Sequence, residues 1–200
     1  MSSRIRGAAT ALLLLAVAGA WRPLLDPLKL RAESKLWFDG KSTVRDWSCK
    51  ATQIDAVIDA DAGAAANVLK AQKAVKTVTL TFPVAKLDCE NGTMNGHMMK
   101  ALNATTQRTI VFALTGYELA AGAPVKGTLN GTLTLNGVTK PISFPVEYAA
   151  GAAGAAGALR VTGKYALLMT DWNVQPPKLM MGALKVDPTI TVNFDLQLQP

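Results

Sequence analysis

The chain's single histidine, His97, sits among Met94, Met98 and Met99. Imidazole and thioether donors so close together are what copper or a haem iron would take. The same residues also suit an adaptable apolar face, because methionine fills irregular gaps. Met94, His97, Met98, Ala101 and Leu102 recur at helical spacing, which favours a core-facing or lid helix over a ligand set. Any histidine-dependent triad would have to pass through His97, and neither a Gly-x-Ser-x-Gly elbow nor a Walker loop occurs. The two cysteines, Cys49 and Cys89, lie 40 residues apart. With one histidine they do not make a closed zinc set. The alternatives are a structural disulfide, which an oxidising compartment permits, and two separate small buried residues. Asn-x-Thr sequons at Asn91, Asn103 and Asn130 are given no role. These residues predict neither an enzyme nor a metal protein.

The elements that hold them are strands. Val78, Leu80, Phe82 and Val84 alternate with Thr77, Thr79 and Thr81, and Ile110, Phe112 and Leu114 share one face of 108–119. Leu129, Leu133 and Leu135 alternate with Thr128, Asn130, Thr132 and Thr134. Ile142, Phe144 and Val146 alternate with Ser143 and Glu147, and Ile190, Val192, Phe194, Leu196 and Leu198 with Thr191, Asn193, Asp195 and Gln197. Period two is what a sheet with one buried face demands. Asn136-Gly137 between two such runs is a hairpin signal, since both residues tolerate positive φ. Further strands are predicted over 35–39, 44–51 and 53–60. A short helix is predicted over Thr93–Leu102 with Thr93 as N-cap, and a turn or two of helix within Ala64–Ala74. The Gly/Ala stretch 149–158 reads as a surface loop.

Apolar residues make up 50% of the chain and charged residues 18%, too apolar for disorder and ample for a core. One domain is expected at this length. Formal charge is +7, and no aromatic-basic run concentrates it, so nucleic acid is not expected as a partner. A moderate positive balance suits anionic surfaces. Arg4 and Arg6, the apolar run 8–18 and Ala18-Gly19-Ala20 have the form of a secretory signal peptide cleaved after Ala20. The predicted organisation is a signal peptide over 1–20, an N-terminal connector over 21–34 and a β domain over 35–200. The location is then periplasmic or secreted.

So much inward apolar surface with few helices to cover it calls for closure of the sheet. A barrel of about eight strands either packs its interior or leaves room for one small ligand. Small inward residues among the large ones lean toward unfilled volume. A tightly packed, ligand-free core is the alternative. The residues expected on the lumen are Phe82, Met98, Met99, Leu102, Ile110, Phe112, Leu133, Ile142, Phe144 and Phe194, with the three helix residues near one mouth.

Several segments resemble YceI-like proteins. Leu36-Trp37-Phe38-Asp39-Gly40-Lys41-Ser42-Thr43-Val44-Arg45-Asp46-Trp47 resembles their opening strand pair, and the stretch from Asn91 to Leu102 their short helix. Gly131-Thr132-Leu133-Thr134-Leu135-Asn136-Gly137-Val138-Thr139-Lys140-Pro141 is similar to their most distinctive hairpin, and Met169-Thr170-Asp171-Trp172 and Pro176-Pro177 follow in order. The resemblance implies an all-β, extended antiparallel lipocalin-like barrel. It further implies an exported protein that encloses a long amphiphile: a polyisoprenoid, an isoprenoid quinone or a fatty-acid derivative. Such a binder needs no cofactor. Its partners would be the apolar lipid and, transiently, a membrane, and it would be a monomer or homodimer. The competing expectation is a ligand-free structural or interaction module of the cell envelope. The cysteine pair and the Gly/Ala stretch are not general features of these proteins.

Overall fold

The alternating runs form strands, and in the computed structural model, which describes residues 28–151, 157–179 and 184–200, they join into one antiparallel sheet. In chain order the strands are β1 (Lys29–Leu30), β2 (Lys35–Ser42), β3 (Trp47–Ala51), β4 (Asp55–Ala60), β5 (Val75–Pro83), β6 (Leu87–Asp88) and β7 (Thr109–Ala120). They continue with β8 (Val125–Leu135), β9 (Val138–Ala150), β10 (Leu159–Leu168), β11 (Lys178–Leu179) and β12 (Leu184–Gln199). Helix α1 (Ala64–Val68) connects β4 to β5, and α2 (Gly92–Ala101) connects β6 to β7.

Pairing runs β4-β5-β7-β8-β9-β10-β12-β2-β3-β6. Its two ends meet. β3 and β4 are one lane interrupted at residues 52–54, and β5 and β6 another, interrupted by a 3-10 turn at Val84–Lys86. Thr52 bridges the breaks, its backbone N–H and its hydroxyl both donating to the Lys86 carbonyl at 2.8 Å. β1 extends the lane of β2 along β12, with Leu30 opposite Leu198 and Lys35 opposite Asp195, and lies against β4 at the seam. The sheet therefore returns on itself as a barrel of eight lanes.

The side chains of the two strand phases differ as the alternation predicts. Leu133, Leu135, Ile142, Phe144, Val146, Ile190, Phe194, Leu196 and Leu198 are buried, and the intervening Thr, Ser, Lys, Asp and Gln residues are more accessible. Apolar inside and polar outside is the reverse of a membrane-spanning barrel with an aqueous lumen.

Four expectations need correction. Residues 28–34, assigned to the connector, belong to the barrel: Leu28 is buried, β1 pairs with β12, and the Arg31 N–H donates to the Gln197 carbonyl at 2.8 Å. A two-residue strand is too short to display a period. The stretch predicted as strand from residue 44 begins only at Trp47, because the Ser42 hydroxyl turns the chain by accepting from the N–H groups of Val44 and Arg45. Helix α2 is capped by Asn91, not Thr93; the Asn91 Oδ1 accepts from the Met94 N–H at 3.0 Å. β9 runs to Ala150, into the Gly/Ala stretch, and Gly151 closes on the Ala158 carbonyl at 2.9 Å. Residues 1–27, with the predicted signal peptide, and residues 152–156 lie outside the described residues.

Candidate functional site: an apolar lumen

The inward phase does not fill the barrel. A cavity of about 390 Å³ runs inside it, lined by side chains from all eight lanes and from α1 and α2. One end is closed. Gly63, at φ 72°, starts α1, whose Ala64, Ala65 and Val68 are buried with Leu28, Val125 and Leu159. Val68 and Leu159 are each only 1% exposed.

 Tyr117 supports the same closure, its hydroxyl accepting from the N–H groups of Ala74 and Val75 at 2.8 and 2.9 Å.

The other end opens beside α2. Met94, His97, Met98, Ala101 and Leu102 face the lumen there, opposite Ser42, Val44, Arg45 and Pro177. The helix is held at the rim by its own first turns. Asn95 accepts from the Cys89 N–H at 2.7 Å and donates to Asp88 at 2.8 Å. The Asn95 amide and the Glu90 N–H, both donating to it, hold the Asp88 carboxyl below its usual range. Cys49 and Cys89 are joined by a disulfide that ties β3 to the residue after β6, and the Cys89 sulfur lies 3.8 Å from that of Met98. A second anchor comes from the hairpin turn. Asn136 and Gly137 have φ of 50° and 77°. Asn136 accepts from Asn103 at 2.8 Å and donates to the carbonyls of Trp172 and Asn173 at 3.1 Å. The Trp172 indole donates to the Leu133 carbonyl at 3.1 Å.

Midway along the lumen, Phe144 packs with Phe112, Tyr165 and Phe194, with ring centroids 5.7–5.8 Å apart. Glycines make this possible. A Cβ at Gly131 would collide with the Phe112 ring, and one at Gly163 with the Phe194 ring. The rings lie over bare backbone of the adjacent strand, which keeps them against the wall.

Nine of the ten residues expected on the lumen line it: Phe82, Met98, Leu102, Ile110, Phe112, Leu133, Ile142, Phe144 and Phe194. Met99 does not; it packs against the core from a neighbouring position on α2. Sequence reasoning passed over Tyr117, Tyr148 and Tyr165, which also line the cavity. The signal was available for Tyr148, which continues the phase of Ile142, Phe144 and Val146. Burial raises the phenol pKa of both Tyr148 and Tyr165; Tyr117 adds to it at Tyr148 and Asp171 at Tyr165. Among the described residues no group of three or more His, Cys, Asp or Glu side chains is placed to hold a metal ion.

A closed antiparallel barrel with an apolar lumen and a helix at its mouth is the architecture that the hairpin already suggested. The YceI-like domain matches residues 28–198, and the chain belongs to that family. Its fold is similar to BcnA of Burkholderia cenocepacia, at 18% identity and a TM-score of 0.65, over 84% of this chain and 99% of that one. A Campylobacter jejuni YceI protein is 22% identical, with a TM-score of 0.58, over 74% of this chain and 82% of that one. A polyisoprenoid binding domain from Saccharophagus degradans, 12% identical, has a TM-score of 0.62 over 86% of this chain and 98% of that one. No curated protein matches the sequence.

Proposed function

We propose that the protein is an exported carrier that holds one long apolar amphiphile in its lumen, of the polyisoprenoid, isoprenoid-quinone or fatty-acid class. The observation that carries this reading is the cavity of about 390 Å³, whose lining is apolar in nearly every residue over the length of the barrel. Burying a chain there gains about 25 cal/mol per Å² of apolar area, with no charged partner needed. An isolated charge inside would be costly to desolvate, so the lining selects against charged guests. The S. degradans polyisoprenoid binding domain, which shares the fold, supports the same ligand class. Loading and release take place at the α2 mouth, against a membrane surface.

The test is to recover the protein from the envelope or medium of the cells that make it. Its N-terminus should begin at Trp21, and native mass spectrometry should give a mass above that of the polypeptide. Organic extraction should remove the excess as a single lipid class. A full-length N-terminus on cytoplasmic protein would overturn the export. A lipid-free protein that also takes up no added isoprenoid would overturn the carrier, and leave a structural module.

A further inference from the structure

The lumen's polar groups are unevenly placed. Ser42, Arg45 and His97 stand at the α2 mouth, whereas Tyr117 and Tyr148 stand toward the closed end. Tyr148 is only 6% exposed, lines the lumen, and makes no hydrogen bond to any described residue. Its ring lies over Gly127, on the strand between its own and that of Tyr117. Tyr117 is 7% exposed, and its oxygen already accepts two backbone N–H groups. Both lone pairs are used, so what it has left to offer is its proton. Two phenols, each with a proton to donate, therefore stand at this end of the lumen, while the third, Tyr165, lies midway along it with its ring against Phe144. Among the described residues no side-chain nitrogen or oxygen is both sealed and without a partner, so the unpaired Tyr148 hydroxyl is open to a neighbour, and a guest with an acceptor can take its proton.

Resting on the reading of the lumen as a lipid site, we propose that Tyr117 and Tyr148 form a hydrogen-bonding subsite for the guest's neutral oxygen head. A carbonyl, ether or hydroxyl oxygen would enter first and accept from the phenols, and the tail would extend back toward α2. Burial favours the neutral phenol at Tyr148, so it remains a donor across the physiological range. Among the described residues an anionic head finds no cation in the lining at this end. Arg45 is the cation in the lining and belongs to the opposite mouth, and Lys73, over the Tyr117 ring, is exposed and paired with Glu118. A phosphate would have to be desolvated without compensation.

The experiment titrates delipidated protein by native mass spectrometry with three chain-matched probes: geranylgeraniol, the hydrocarbon in which a methyl group replaces its hydroxyl, and geranylgeranyl diphosphate. The parent protein should prefer the alcohol to the hydrocarbon by about tenfold, the worth of one buried hydrogen bond. Tyr148→Phe should erase most of that preference, weakening the alcohol far more than the hydrocarbon. Tyr117→Phe should act likewise, and because it also frees two backbone donors, its melting temperature is measured alongside. Equal binding of alcohol and hydrocarbon by parent and Tyr148→Phe would overturn the subsite and leave the lipid lumen standing. Tighter binding of the diphosphate would also overturn it, and place the head at the Arg45 mouth. Binding of none of the probes would overturn the lumen reading itself.

Discussion

Ile110 and Ile142 each form part of the boundary between wall and lumen, on β7 and β9. Whether the space beside them is used can be decided by filling it. Ile110→Trp or Ile142→Trp should occupy the lumen, keep the melting temperature within a few degrees, and abolish retention of lipid. In a solid core the same change would overpack and cost about 1–3 kcal/mol. Thermal melting and lipid extraction on the same samples separate the two outcomes. At this scale the strand residues were legible because alternation assigns a side chain to a face without knowledge of its neighbours. Helix phase is less forgiving. Met98 and Met99 are adjacent, and one residue of helix rotates the side chain by about 100°, enough to take Met99 off the lumen. The tyrosines were passed over for a different reason. A phenol reads as half polar, and only the closure of the barrel shows that Tyr117 and Tyr148 are buried in it.

The rim of the mouth is built by tying short elements to long ones. Helix α2 has no fully buried residue of its own, so packing alone holds it weakly. Its position depends on Asn95 at Cys89 and Asp88, on the Asn91 cap, and on the disulfide from β3. The double substitution Cys49→Ala with Cys89→Ala should lower the unfolding free energy by roughly 2–5 kcal/mol. Denaturant titration of oxidised parent and variant checks this, and an unchanged midpoint would mean that the bridge contributes nothing. The hairpin was legible as a turn from Asn136-Gly137, but not its second task. Asn136 reaches the Trp172 and Asn173 carbonyls, 36 and 37 residues away in sequence, and no local pattern carries such a contact. The same limit hid β1, whose pairing with β12 joins the two ends of the domain.

For the whole molecule, the polarity pattern sets the manner of use. The outward phase of its described strands carries Thr, Asn, Lys and Gln, which under the carrier reading proposed above suits passage through an aqueous space with a guest enclosed. Guest exchange must then happen where the apolar interior reaches the surface. Among the described residues, two of the three most exposed large apolar side chains, Val44 at 67% and Leu168 at 40%, lie at the end of the barrel that carries α2. Arg45 stands beside Val44 in the same turn, with its guanidinium 3.7 Å from the Met94 sulfur. An apolar tip next to a cation suits the headgroup boundary of an anionic bilayer, where one basic residue near the surface is worth about 1 kcal/mol. Transfer of a fluorescent isoprenoid between vesicles should therefore quicken with anionic lipid and slow at high salt, as screening shortens the reach of the charge. Val44→Asp with Leu168→Asp should slow transfer about tenfold, equivalent to roughly 1.4 kcal/mol, while lipid capacity and melting temperature stay at the parent values. Transfer that is unchanged in that variant, or insensitive to vesicle concentration, would place exchange in solution and remove the membrane from the cycle.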